Sequence, residues 1–212
     1  MKTTASARPS SKGRPREFDR EKALNQALKL FWRRGFEPAG ISDLCSAMGI
    51  NPPSLYAAFG NKAKLFMEAV YYYEATFWDA TWERMANEPH IHRAVDEFFR
   101  EAAEILTSQD APCGCMVVMA DANLSESAKG VYDELKALRV EGRDWILKRL
   151  QKAADEGQLR RDTDLFALAS TLNTLLHGLS IQARDGASRE ELLAIGRSAA
   201  ALVGIAATPR QA

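Results

Sequence analysis

The stretch from Gly40 to Phe66, GISDLCSAMGINPPSLYAAFGNKAKLF, predicts two short helices joined by a tight turn at Met48-Gly49-Ile50-Asn51. Gly49 is free to take the left-handed conformation that ends the first of them. The second opens on Pro52-Pro53. Proline in a first helical turn gives up only amide donors that have no intrahelical partner. A residue that precedes proline resists the helical region, so this helix is expected to start at Pro53. Leu44, Met48, Ile50, Leu55 and Phe59 are spaced to bury one side of the pair, which leaves Ser42, Ser54, Tyr56 and Ala57 facing outward. Such a pair is the shape with which a protein lays one helix in a DNA groove.

Working outward, residues 1–18 are rich in Ser, Pro, Arg and Lys, lack apolar periodicity, and are expected to form a flexible basic arm. Asp19 is placed to cap a first helix that runs to Arg34 with Ala23, Leu24, Ala27, Leu28 and Phe31 inward. Asn61 caps a long helix that carries Phe66, Val70, Tyr73 and Phe77 towards Met85, and Asn87-Glu88-Pro89-His90 breaks it. Helical patterns follow over 91–107, 115–124, 126–156, 162–184 and 188–205, with Asp185-Gly186-Ala187 as the last turn. No segment has strand periodicity. The expected fold is all-α: a helix-turn-helix head over 19–66, joined through its fourth helix to a larger helical body over 67–212.

Charge is divided in the same way. The 212-residue chain has no net charge, yet residues 1–66 hold 12 Lys and Arg against 5 Asp and Glu, whereas residues 67–212 hold 16 against 23. A basic head on an acidic body draws phosphates to one end. No apolar run approaches a membrane span, and no secretory segment follows Met1, so the chain is expected to be cytoplasmic and without a membrane partner. Three cysteines, two of them separated by one glycine, do not make a secreted disulfide framework.

The head resembles the DNA-binding region of TetR-family transcriptional regulators. Phe31 and Gly35-Phe36 match the end of that family's first helix, Leu44 and Gly49-Ile50 its second helix and turn, and Leu55-Tyr56 with Phe59 its recognition helix. Asn61-Lys62 with Leu65-Phe66 matches the start of its fourth helix. The chain departs from the family at Gly40, where Ser or Thr is usual and a hydroxyl for phosphate is therefore lacking, and at Ala57-Ala58, where bulkier side chains are frequent. The resemblance implies that the matching positions face DNA and that a ligand pocket lies among the middle helices; no cofactor is expected.

On this basis Lys62, in the first turn of its helix, is assigned to a phosphate. Its plain alternative is a solvated surface lysine. Tyr56 offers a hydroxyl to the backbone, or else packs half-buried against the first helix. Ser42 faces outward, Ser54 is able to donate to phosphate or a base edge, Ala57 to pack on a thymine methyl, and Pro53 to supply apolar contact at a fixed entry angle. Arg14 and Arg16, on the Gly/Pro frame of the arm, are assigned to the minor groove rather than to a solvated tail.

In the body, Trp78, Trp82, Phe98, Met116, Met119 and Trp145 are candidates to line an apolar effector cavity, although most residues of these types are simply core. The final two helices are too apolar for ordinary surface, and Leu172, Leu175, Leu179, Ala199, Leu202 and Val203 are read as a homodimer seam. Cys113-Gly114-Cys115 suggests either core and loop packing or thiol sensing; zinc is not supported, because His90, His92 and His177 lack ligand spacing. Cys45 is expected to pack inside the head and His177 to be a core histidine.

Three function classes follow. The first is a dimeric repressor released from a palindromic operator by a small-molecule effector. The second is a thiol-responsive regulator that uses Cys113 or Cys115. The third, an enzyme or a purely structural helical protein, has neither a catalytic triad, a carboxylate pair nor a phosphate loop to support it.

Overall fold

The carboxylate of Asp19 accepts the amide of Lys22 at 3.0 Å and starts α1 (Arg20–Arg34), whose inner stripe includes Ala23, Leu24, Ala27, Leu28 and Phe31. The computed structural model describes residues 18–108, 111–120 and 125–207, and among these it is helical throughout, with a lone bridge between Leu159 and Ala207. After Gly35 come α2 (Ile41–Met48) and α3 (Pro52–Phe59). Gly49 adopts the left-handed conformation at φ 68°, and the amide of Ile50 returns to the carbonyl of Cys45 at 3.1 Å.

The recognition helix starts at Pro52, one residue before the expected position. The Asn51 side chain accepts the amide of Ser54 at 2.9 Å, and this cap fixes the first turn. Pro52 has no donor to lose there, so the cap prevails over the bias against a helical residue before proline.

Asn61 caps α4 (Lys62–Tyr73) by accepting the amide of Lys64 at 2.9 Å. The long helix is not uniform. Glu74–Trp78 form a π-turn before α5 (Asp79–Asn87), a local widening of the kind that often sits at functional sites. The body continues with α6 (Ile91–Leu106), a short α7 (Met116–Met119), a 3-10 turn at Glu126–Ala128, and then α8 (Lys129–Asp155), α9 (Leu165–Arg184) and α10 (Arg189–Ala206). The helix expected over 115–124 is thus a single turn in its described part. Residues 121–124 lie outside the described residues.

Packing within the body follows the stripes. Ile91, Ala94, Val95, Phe98, Phe99, Ala102, Ala103 and Leu106 bury one side of α6. Gly196 of α10 lets this helix come close: a Cβ there would stand 3.0 Å from that of Phe99. Arg149 is 3% exposed, and its guanidinium donates to the carbonyls of Met85, Glu88 and Pro89, satisfying acceptors at the C-terminus of α5. Among the described residues no helix is long and apolar enough to cross a membrane.

The head meets the body through aromatic rings. Within the head, Phe66 packs edge-on to Phe31 and Phe36, at centroid distances of 5.0 and 5.2 Å, and so fastens the start of α4. Trp32 stands edge-on to Tyr73 at 4.6 Å and to Phe77 at 5.3 Å.

Candidate functional site

On α3, Leu55 and Phe59 are buried, while Pro53, Tyr56 and Ala57 are exposed and Ser54 is half-buried. Tyr56 keeps 48% of its surface in solvent, so its ring is not packed away under α1. Ser42, at the start of α2, is exposed as well. Two ion pairs brace this outward face. Arg20 donates to both carboxylate oxygens of Glu68, at 2.8 Å to the second, and stacks 4.5 Å over the ring of Phe59. Arg34 pairs with Asp43 at 2.9 Å and ties α1 to α2.

Lys62 is placed differently from a solvated surface lysine. Its ammonium donates to the carbonyl of Glu37 at 3.0 Å and lies 4.5 Å from the centre of the Phe36 ring. Burial lowers its pKa, with the charge of Glu37 acting in the opposite sense. An ammonium has three donors, so two remain for a phosphate. Arg14 and Arg16 lie outside the described residues.

A second site opens in the body. An inner cavity of about 50 Å³ is lined by Glu74, Trp78, Trp82, Leu106, Cys115, Val117, Val118, Leu138, Arg139, Gly142, Asn173, Leu176 and His177. Glu74, Trp82, Leu138 and Gly142 also border an outer groove of about 610 Å³, completed by Tyr71, Ala75, Asp79, Glu83, Ala86, Glu141 and Trp145. Of the six residues expected to line a cavity, Trp78 and Trp82 line the inner space and Trp145 the groove. Phe98 is core: it packs 4.4 Å from Trp82, behind the wall. Met116 is buried, Met119 is half-buried, and neither borders the inner cavity or the groove.

The sequence did not point to Glu74, Asn173 or His177 as cavity residues. The carboxyl of Glu74 is pushed up to about 7, mainly by burial and further by the like charges of Asp79 and Glu141. Burial, reinforced by Glu74, pushes the Cys115 thiol up to about 11, and Cys113 is exposed. Tyr73 accepts the indole N–H of Trp78 at 2.7 Å beside them.

The loop that carries these cysteines touches the head. The indole N–H of Trp32 donates to the carbonyl of Gly114 at 2.9 Å. Gly114 holds φ at 83°, and a Cβ there would stand 2.9 Å from the carbonyl oxygen of Ser180, so this loop is pressed against α9.

Comparison with known proteins finds relatives for both the head and the body. Residues 23–69 match the family model described as bacterial regulatory proteins, tetR family, and residues 92–196 match a tetracyclin repressor-like C-terminal domain. The HTH-type transcriptional repressor ComR of Escherichia coli K12 is 34% identical over 186 residues, covering 87% of this chain and 89% of ComR. The chain belongs to the TetR family. It is a DNA-binding transcriptional regulator, and at the level of the family its role is not enzymatic.

A second TetR-family relative, the HTH-type transcriptional repressor BdcR of Escherichia coli K12, is 30% identical over 183 residues, with 86% of this chain and 87% of BdcR covered. Among solved structures, a cysteine-substituted form of the TetR-family regulator CifR, complexed with 26-bp double-strand operator DNA, is 40% identical. It superposes with a TM-score of 0.85 over 89% of this chain and 98% of that one.

Within this TetR-family fold, four of the residues read as a dimer seam face inward. Leu172, Leu179, Ala199 and Val203 are buried in the protomer's own core, and Leu175 and Leu202 are half-buried. Their apolarity reflects packing within one chain. The outward surface of α9 and α10 instead presents Phe166, at 55% exposure, with Ile181 at 47% and Ile205 at 69%.

Proposed function

We propose that the protein is a cytoplasmic homodimeric repressor that holds a near-palindromic operator and releases it when a small molecule enters the body. In this reading residues 19–66 bind DNA and residues 67–212 bind the effector and the second subunit. Pro53 and Ala57 meet base edges, Ser42, Ser54 and Tyr56 meet backbone and flanking edges, Lys62 holds a phosphate, and Arg14 and Arg16 enter a minor groove.

The observation that carries the reading is one continuous contact path. Cys115 lines the inner cavity, its chain neighbour Gly114 holds Trp32 by a buried hydrogen bond, and Trp32 belongs to the first helix of the head. A ligand that favours a rearranged cavity therefore has a route to the spacing of two heads. The names of ComR and BdcR favour repression over activation.

The test is a footprint of the protein on DNA fragments it retains, with its mass measured by sedimentation. Protection of two half-sites whose centres lie about 34 to 36 Å apart by a dimer is expected. Tight occupancy of one half-site by a monomer would rule the reading out.

A thiol-responsive variant of the same mechanism has one observation in its favour. Cys113 is exposed and adjoins Gly114, so a substituent on its sulfur would press on the loop that holds Trp32. Cys115 is the weaker sensor, since burial keeps its thiol protonated. Oxidant should then release operator from the parent and leave a Cys113→Ser variant bound.

A further inference from the structure

The outer groove has an unusual chemistry. Its polar lining consists of carboxylates and one phenol, from Glu74, Asp79, Glu83, Glu141 and Tyr71, and no Lys or Arg borders it. Trp82 and Trp145 supply its aromatic wall, with ring centres 6.3 Å apart. Trp145 leaves 45% of its surface in water and Tyr71 leaves 50%, so the groove displays large aromatic faces beside negative charge. We propose that this groove receives a lipophilic organic cation bearing N–H donors, a primary or secondary ammonium or an amidinium, with its apolar body laid along Trp82 and Trp145. The proposal rests on the effector reading above and names the ligand's class.

The groove holds no cationic donor, and its one phenol, Tyr71, already donates to Glu134 at 3.0 Å. Glu74 is at the junction of the two, on the π-turn, and its carboxylate makes no hydrogen bond among the described residues. Its charged neighbours on the adjoining turn and on α8 are Asp79 and Glu141, which repel it. Deeper in, the side-chain oxygen of Asn173 is a buried acceptor without a partner. A cation with N–H groups meets both needs, whereas an anion meets neither. Arg139 and His177 line the inner cavity and not the groove; Arg139 is engaged, donating to the carbonyl of Val117 at 3.0 Å.

Gly142 keeps the passage between the two spaces open. A Cβ there would already touch Trp82 at 3.6 Å and the Asn173 oxygen at 3.7 Å, so any longer side chain would occupy the junction. Aromatic faces hold alkylammonium and amidinium groups through the ring quadrupole, and low-dielectric walls strengthen that attraction. A bare metal ion is a poor occupant: among the described residues no three His, Cys, Asp or Glu side chains converge as ligands would. The carboxylates are spread along a groove of about 610 Å³, which suits an extended molecule.

The test uses three probes of similar length, 2-phenylethylammonium, 2-phenylethanol and 3-phenylpropanoate, titrated into the full chain while tryptophan emission is recorded. The ammonium is expected to bind about ten-fold tighter than the alcohol, and the carboxylate weakest. Glu74→Gln should erase the preference of cation over alcohol. Glu83→Gln, an exposed position on the groove's rim that does not bear on folding, should lose part of the preference. Gly142→Val should weaken all probes alike. Equal binding of the three probes, or a preference that survives Glu74→Gln, would overturn the proposal. Operator release is read separately with the same probes. Cation binding with the expected preference but without release supports the site and removes the effector reading. Release by the alcohol or the carboxylate alone keeps the effector reading and overturns the cation.

Discussion

The indole N–H of Trp32 donates to the carbonyl oxygen of Gly114 across 82 positions of sequence, and the bond is buried. Gly114 in turn donates its amide to the carbonyl of Leu106 at 3.0 Å, and the next amide, that of Cys115, donates to the hydroxyl of Ser180 at 2.7 Å. One short loop is therefore fastened to α1, α6 and α9 together. Trp32→Phe keeps a ring beside Tyr73 but strips a buried carbonyl of its donor. The expected cost is about 1 to 3 kcal/mol, read as a lower Tm. Operator affinity without ligand should change little, and ligand-driven release should be blunted, because the head is no longer held to the loop. A variant with unchanged Tm would show that the bond is not formed in solution.

Gly114→Ala probes the same loop from its backbone. A side chain at φ 83° is strained by about 1 to 2 kcal/mol, and here the added Cβ would also meet the Ser180 carbonyl oxygen at 2.9 Å. A loss of more than about 2 kcal/mol in denaturant unfolding is expected. Gly130→Ala in α8 is the internal control. Nothing lies within 4 Å of its Cβ position, so it should be neutral or slightly stabilising.

Glu74 makes stability depend on pH in a definite direction. Its folded pKa, about 7, lies above the ordinary value of 4.5, so the folded state binds the proton more tightly than the unfolded state does. The stability this provides is complete below about pH 4.5 and is lost as pH rises through about 7. Its full size is on the order of 3 kcal/mol. Glu74→Gln should remove this component, so that the variant gains on the parent as pH is raised from 5 to 8, by roughly that amount. Parallel Tm profiles for the two proteins would sink the assignment of Glu74 as a buried, unpaired carboxyl.

The sequence carried the head almost to the residue because its boundaries are local chemistry. Asp19, Asn51 and Asn61 each cap a helix with a side-chain oxygen, and Gly49 closes one with a left-handed residue. The start at Pro52 was missed because two local rules conflict there and only the Asn51 cap decides between them. The π-turn at Glu74–Trp78 has no comparable local signal. Periodicity places Trp82 and Phe98 equally inside, yet one faces empty space and the other faces packed side chains, a distinction that depends on which helix lies opposite. Leu172 and Leu179 show the same limit: an apolar stripe reports burial, and the partner that supplies it is a tertiary fact.

Cysteine labelling separates the three thiols. Cys45 and Cys115 are buried and burial raises the pKa of both, whereas Cys113 is exposed. A maleimide applied to the native protein should add to Cys113 alone, and the other two sites should react only on unfolding. Mass spectrometry of the native adduct checks this. Prompt reaction at Cys115 would mean that the loop opens readily and would strengthen the thiol-responsive reading.

Lys62 is the sharpest test of the DNA face, since it already has partners within the protein. If its two remaining donors hold a phosphate, Lys62→Met should keep the stem over Phe36 while lowering the slope of log K against log salt by about 0.9. It should weaken every DNA sequence to a similar degree, because a phosphate contact carries no base information. Ser54→Ala should instead shift sequence preference and leave the slope in place if Ser54 reaches a base edge. The bond from Lys62 to the Glu37 carbonyl supplies the competing outcome. If the ammonium serves only to strap α4 to the segment after α1, Lys62→Met will lower Tm and leave the salt slope unchanged. Salt titrations and thermal unfolding of the one variant decide between these roles, and an unchanged slope would remove Lys62 from the DNA contacts.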